Sequence, residues 1–507
     1  MTDPTPEEIT PEPVDDTEPE SPTPRGPRRG AIVGARVVTG TVGLGVAALA
    51  IAAAGLLPIP TLSATPASET VTPVPTAQEL VCAGGILRLG DETGQDAETA
   101  TSIGRPTVTS AASSGELEVD TLDGAAGNAQ SSPRSLRAAP NPDAAATDTV
   151  LLSGAQSEVA AIGEFRGLAA SACAGVSTDA WLAGGTNTVG RTTLISIANP
   201  SDVIATVDIE IAGEEGAVEA PGGAGIIVQP HSQRVIPLAG LAPDVVSPIV
   251  HVTSKGGQVV ATLQQSIVRG LEPGGVEIIG TTARPATDQV IPGVVISNTE
   301  GVGSRVGEKG FDDLTTVLRV YVPGEDDTTL QVGIVAEDGS ATGASFTFDV
   351  EAGQVTDLPI EELVDGTYTL LIDSEQPVLT SLRVATVATL PDLAGTLATD
   401  FAWFSATTEL TADTLVSIAA GPSPVLHIAN PGTTALDVTL EALGGGTTSV
   451  SVPAGATTAT AVTPGTTYRI GGVTSAWASV SLVGDGQLAA YAVQPPAVTS
   501  SAITVYP

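Results

Sequence analysis

Cations are scarce in this sequence. Only 19 of its 507 residues are Lys or Arg, against 57 Asp or Glu, and the lysines are Lys255 and Lys309 alone. A formal charge of −38 argues against a nucleic-acid partner, because binding phosphate needs clustered Lys and Arg. Cysteine is scarcer still: Cys82 and Cys173, with no C-x-x-C or Cys/His spacing, which argues against a structural zinc site. The histidines are His231, His251 and His427, and no H-E-x-x-H, H-x-H or G-x-S-x-G motif contains them or any serine. No catalytic residue, metal or cofactor is therefore expected. Glu325-Asp326-Asp327 is the best Ca²⁺ candidate, but it lacks D-x-D-x-D-G spacing and reads as a solvated turn.

Long apolar runs are also absent, with one exception. Residues 37–57, VVTGTVGLGVAALAIAAAGLL, are uncharged, and as a helix they span about 31 Å, the thickness of a bilayer's hydrocarbon core. Arg25, Arg28, Arg29 and Arg36 precede the run; the first charges after it are Glu69 and Glu79. That asymmetry predicts a single-pass signal anchor with a cytoplasmic N-terminus and an extracytoplasmic bulk. Cleavage near Ser63–Ala67 is the alternative. Residues 1–36 are acidic and Pro-rich and read as a disordered tail. Residues 58–79 read as an extended Pro/Thr/Ser stalk.

Past the stalk, helical periodicity nearly vanishes and short alternating apolar runs take over. LISIANPSD (Leu194–Asp202) and VLHIANPGT (Val425–Thr433) repeat a strand, an Asn-Pro turn and the start of a second strand. Thr178-Asp179-Ala180-Trp181 precedes the first copy, and Thr399-Asp400-Phe401-Ala402-Trp403 precedes the second. A divergent copy without the Trp lies between them. The expected fold is all-β: tandem Ig-like β-sandwiches at 176–283, 284–396 and 397–507, after a small β-region at 80–175 with a flexible polar insert. Outside the cytoplasm Cys82 and Cys173 would pair, closing a loop of about 90 residues worth about 4–5 kcal/mol on the chain-entropy model.

The blocks C-A-G-x₅-W-L-A-G-G, L-I-S-I-A-N-P-S-D and V-I-P-L-x-x-L-A-P together resemble a family of actinobacterial membrane-anchored envelope proteins carrying a domain of unknown function. The resemblance covers about residues 80–507 and implies a signal-anchored extracytoplasmic β-protein with no assigned activity. The middle copy's missing Trp and the long polar insert depart from the pattern.

The functional expectation is a non-catalytic scaffold or interaction protein of the cell envelope, whose partner is an envelope protein or a cell-wall polysaccharide. A glycan-binding module is the alternative, with Trp181 and Trp403 as equivalent stacking platforms and Tyr491 as a third. A transmembrane sensor is the second alternative, weakened by a tail with no helical domain. Both tryptophans also suit a plain core role.

Overall fold

The asparagine of each I-A-N-P block is the reason the block recurs. Asn199 is fully buried; its amide nitrogen donates to Val203 O (2.8 Å) and Val228 O (3.1 Å), and its Oδ1 accepts from Ser201 N (3.1 Å). Asn430 repeats the set, donating to Thr434 O (2.8 Å) and Val452 O (3.1 Å) and accepting from Gly432 N (3.1 Å). One side chain thus closes the turn that Pro begins and ties two sheets together.

The computed structural model describes Val46 and residues 69–71, 77–90, 100–125, 129–140, 150–339, 344–361, 363–390, 396–496 and 503–505. The expected tail, nearly all of the expected anchor, most of the expected stalk, and Arg25, Arg28, Arg29 and Arg36 lie outside them. Among the described residues no helix is long and apolar enough to cross a membrane. The chain divides into a unit of Met1–Val71 with Thr504–Pro507 and a unit of Thr72–Ile503, and all the sheets discussed below belong to the latter.

This unit is all-β, with one short α-helix, Thr299–Arg305, among the described residues. One seven-strand pattern occurs three times. In the first copy Asp179–Ala183, Ile249–Gly256 and Ala205–Gly213 form one sheet; Ser232–Pro237, Arg191–Asn199, Val260–Arg269 and Glu272–Ile279 form the other. By position along the chain these sheets run first–fifth–third and fourth–second–sixth–seventh. The last copy keeps that order with Thr414–Ser417, Val425–Asn430, Leu436–Ala442, Ala456–Ala461, Thr467–Gly471, Trp477–Gly484 and Gln487–Ala492. The middle copy keeps it too, although Gly366–Leu390 runs unbroken and serves as both fifth and sixth strand. An immunoglobulin domain instead joins A, B, E and D in one sheet and C, F and G in the other.

The seventh strand of the middle copy is Thr396–Ser405, which pairs with Gly366–Leu390 from Leu390↔Thr396 to Ser381↔Ser405. The expected division at 396/397 therefore cuts into a strand of the middle copy. Part of the expected flexible insert is also ordered: Leu117–Thr121 pairs with Arg134–Ala138, and that strand with Gln78–Cys82. The Cys82–Cys173 disulfide is present and fastens Gln78–Cys82 to the end of Phe165–Ala172.

The three copies close on one another. Their seventh strands, Glu272–Ile279, Thr396–Ser405 and Gln487–Ala492, pack side by side, and Phe165–Ala172 completes a ring of four neighbours. Asp400 sits in the middle of that ring, fully buried. Its Oδ2 accepts from Leu168 N (2.8 Å) and Leu488 N (3.1 Å), and its Oδ1 faces Val276 N at 3.4 Å. One carboxylate thereby links all four strands. Backbones come this close because the facing residues are small. A Cβ on Gly275 (φ +118°) would stand 2.8 Å from Asp400 Oδ1, and one on Gly167 (φ +146°) would be nearer still.

Asp400→Asn is expected to lower stability by about 2–4 kcal/mol although it is isosteric, because the amide nitrogen must face a backbone N–H and leave it unpaired. Chemical denaturation checks this; a loss below about 0.5 kcal/mol contradicts the central role of the carboxylate.

Candidate functional site

Several buried polar clusters among the described residues lie inside the joints between copies. Arg319 is fully buried. It donates to Asp357 through Nε (2.8 Å) and Nη2 (2.9 Å), and through Nη1 to Gly185 O (2.8 Å) of the first copy. Burial pushes the Asp357 carboxyl up, but the Arg319 guanidinium outweighs it and holds the group below its ordinary value. Burial draws the neighbouring Arg383 down to about 10. Trp403, 3% exposed, lies against both guanidinium groups (4.6 and 5.9 Å) and donates through Nε1 to Gln265 Oε1 (2.7 Å). It fills the core between the first and middle copies, so a sugar cannot stack on it.

The joint between the middle and last copies holds a relay of serine, histidine and acid. His427 Nδ1 lies 2.7 Å from Glu337 Oε2, and His427 Nε2 lies 2.8 Å from Ser481 Oγ. The order matches a hydrolytic triad. Access does not: His427 and Ser481 are each 1% exposed. Glu337 Oε1 also accepts from Gly293 N (3.0 Å) and Thr369 Oγ1 (3.0 Å), so the relay braces the joint. Tyr491 is internal as well. Its hydroxyl donates to Ser417 O (3.0 Å) and accepts from Ala419 N (2.9 Å), which removes it as a sugar platform.

A second buried carboxyl, Glu277, lies near Asp400. Burial raises the pKa of both well above ordinary values, and the Asp400 charge pushes Glu277 further. Asp400 meets backbone N–H donors on both oxygens, whereas Glu277 Oε2 has no partner. More backbone donors therefore offset burial at Asp400 than at Glu277, which accepts from Ile278 N on Oε1 (2.9 Å). A raised folded-state pKa contributes stability that is complete below the unfolded value, near 4.5, and is lost as pH climbs through the folded value. Glu277→Gln is expected to flatten the fall in melting temperature as pH rises above about 5 and to match or exceed the wild-type melting temperature at the alkaline end. An unchanged pH profile contradicts this assignment.

One large open site remains. Where the four central strands end, a cleft of about 710 Å³ opens, lined by all three copies and the N-terminal region. The first copy contributes Trp181, the last Trp477, and the start of the middle copy Arg284 and Asp288. Trp181 stacks on His251 (ring centroids 3.9 Å apart, planes within 10°), its cross-strand partner. His251 Nε2 lies 2.9 Å from Asp179 Oδ1, and Arg284 Nη2 lies 3.3 Å from Asp179 Oδ2. Of the two expected tryptophans, the cleft takes Trp181. Its second indole is Trp477, in SAWASV at the start of a sixth strand, which repeat matching passes over because no other copy has a counterpart there.

The fold and cleft define an all-β protein of three like modules closed around a common centre. Residues 124–464 match the model of a family of unknown function (DUF5719), more than half of the chain, and the chain belongs to that family. No curated protein matches it. Among solved structures, that of Thermotoga maritima 1070 is similar at 16% identity over 23% of this chain and 92% of its own, with a TM-score of 0.18, a likeness that carries no argument.

Proposed function

We propose that this protein is a non-catalytic interaction protein of the cell envelope, tethered by residues 37–57 with its N-terminus in the cytoplasm, and that the cleft is its binding surface. The observation that carries the reading is that the cleft has walls from every module and exists only because the modules close. At about 710 Å³ it falls within the range of ligand sites. The burial of Ser481 and His427 supports a non-catalytic role. The basic residues before 37–57, with none immediately after, support the tether and its orientation.

Thr408 is exposed on the cleft wall, so Thr408→Trp obstructs the site without entering a core. The full chain is expected to be retained saturably on isolated envelope material, and Thr408→Trp to abolish retention at unchanged melting temperature. No retention, or equal retention by the variant, contradicts the proposal.

A further inference from the structure

We infer that the cleft takes an uncharged polysaccharide segment, with Trp477 and Trp181 as its stacking surfaces. The inference rests on the reading of the cleft as the binding surface and specifies its ligand. Both indoles are half-buried and line the cleft. His251 stacks on one face of Trp181, and Tyr321 lies tilted beside it with ring centroids 6.2 Å apart, which together fix the ring. Rigid amphipathic rings supply contact area at low cost in conformational entropy. Sugar rings combine apolar C–H faces with a rim of hydroxyl groups, and the cleft offers both complements: flat indoles, and carboxylates beside them.

The charges decide which sugars fit. Asp179, Asp288 and Glu409 line the cleft with three negative charges against one positive charge on Arg284, a local balance of −2 on a chain of −38. Uronic-acid or phosphate-bearing polymers are repelled by that field. Hydroxyls donating to the carboxylates are not, and Arg284 supplies a donor in return. A lipid chain suits the site poorly, because its walls carry ions. A basic peptide suits the charge but gains less from two fixed flat rings.

The test uses the full-length chain and intrinsic tryptophan fluorescence, with Trp403 as a buried internal reference. It is titrated with dextran, mannan, arabinan and xylan, with polygalacturonate as the anionic probe and an oligo-arginine peptide as the basic one. At least one neutral polymer is expected to shift the emission saturably, and polygalacturonate to bind at least about tenfold more weakly. Trp477→Ala is expected to weaken binding about tenfold, Trp477→Phe to stay within about threefold of wild type, and Thr408→Trp to abolish binding. The Phe variant and Thr408→Trp keep the test valid if Trp477→Ala does not fold. Binding of no neutral polymer, binding insensitive to Thr408→Trp, or binding of the peptide alone overturns the inference. Retention on envelope material that Thr408→Trp still abolishes, with every neutral polymer inert, leaves the cleft as the binding surface and removes only the glycan.

Discussion

Everything in this architecture turns on a carboxylate that gathers backbone N–H groups from several modules. Asp400 ties its own strand to Phe165–Ala172, Glu272–Ile279 and Gln487–Ala492. A buried charge is tolerated only when such donors surround it. That requirement propagates outward. The donors must approach closely, so Gly167 and Gly275 face the carboxylate. The donor strands must be sheet edges, and in each copy the seventh strand is one. Once these edges meet, Trp181 and Trp477, 296 positions apart, share a cleft. The cleft is a consequence of closure.

The scarcity of cations takes on a meaning in this light. Several of the few arginines lie inside: Arg319 at 0%, Arg383 at 7% and Arg305 at 8% exposure. Arg191 and Arg269 both grip Asp313 (2.8 and 2.6 Å), and Arg269 and Arg305 both lie over the Phe311 ring. Bidentate guanidinium groups specify one docking geometry and are costly to misplace, so they fix how the copies meet more than they add net stability. The surface keeps the acids and with them the strong negative field.

Much of the fold was legible from local signals. The alternating runs meant strands, the repeated I-A-N-P meant a repeated turn, and two lone cysteines meant one disulfide. The site was less legible because of parity. In Thr178-Asp179-Ala180-Trp181 the acid and the indole are two apart and share a face of the strand. In Thr399-Asp400-Phe401-Ala402-Trp403 they are three apart and point to opposite faces. Similar letters therefore serve different roles: Asp179 and Trp181 line the cleft, while Asp400 and Trp403 are buried on either side of one central strand. The unbroken apolar run Phe401–Phe404 was the available sign of a strand covered on both faces. How the copies close on one another leaves no short-range signal, because it depends on contacts between residues hundreds of positions apart.

The most direct test of the account is calorimetric unfolding of the full chain, wild type beside Asp400→Ala. Closure around one carboxylate predicts that the modules melt together, in a single transition whose van't Hoff and calorimetric enthalpies agree. It further predicts that Asp400→Ala breaks this into separate transitions. A wild-type chain that already melts module by module, with a profile the substitution leaves unchanged, would contradict it.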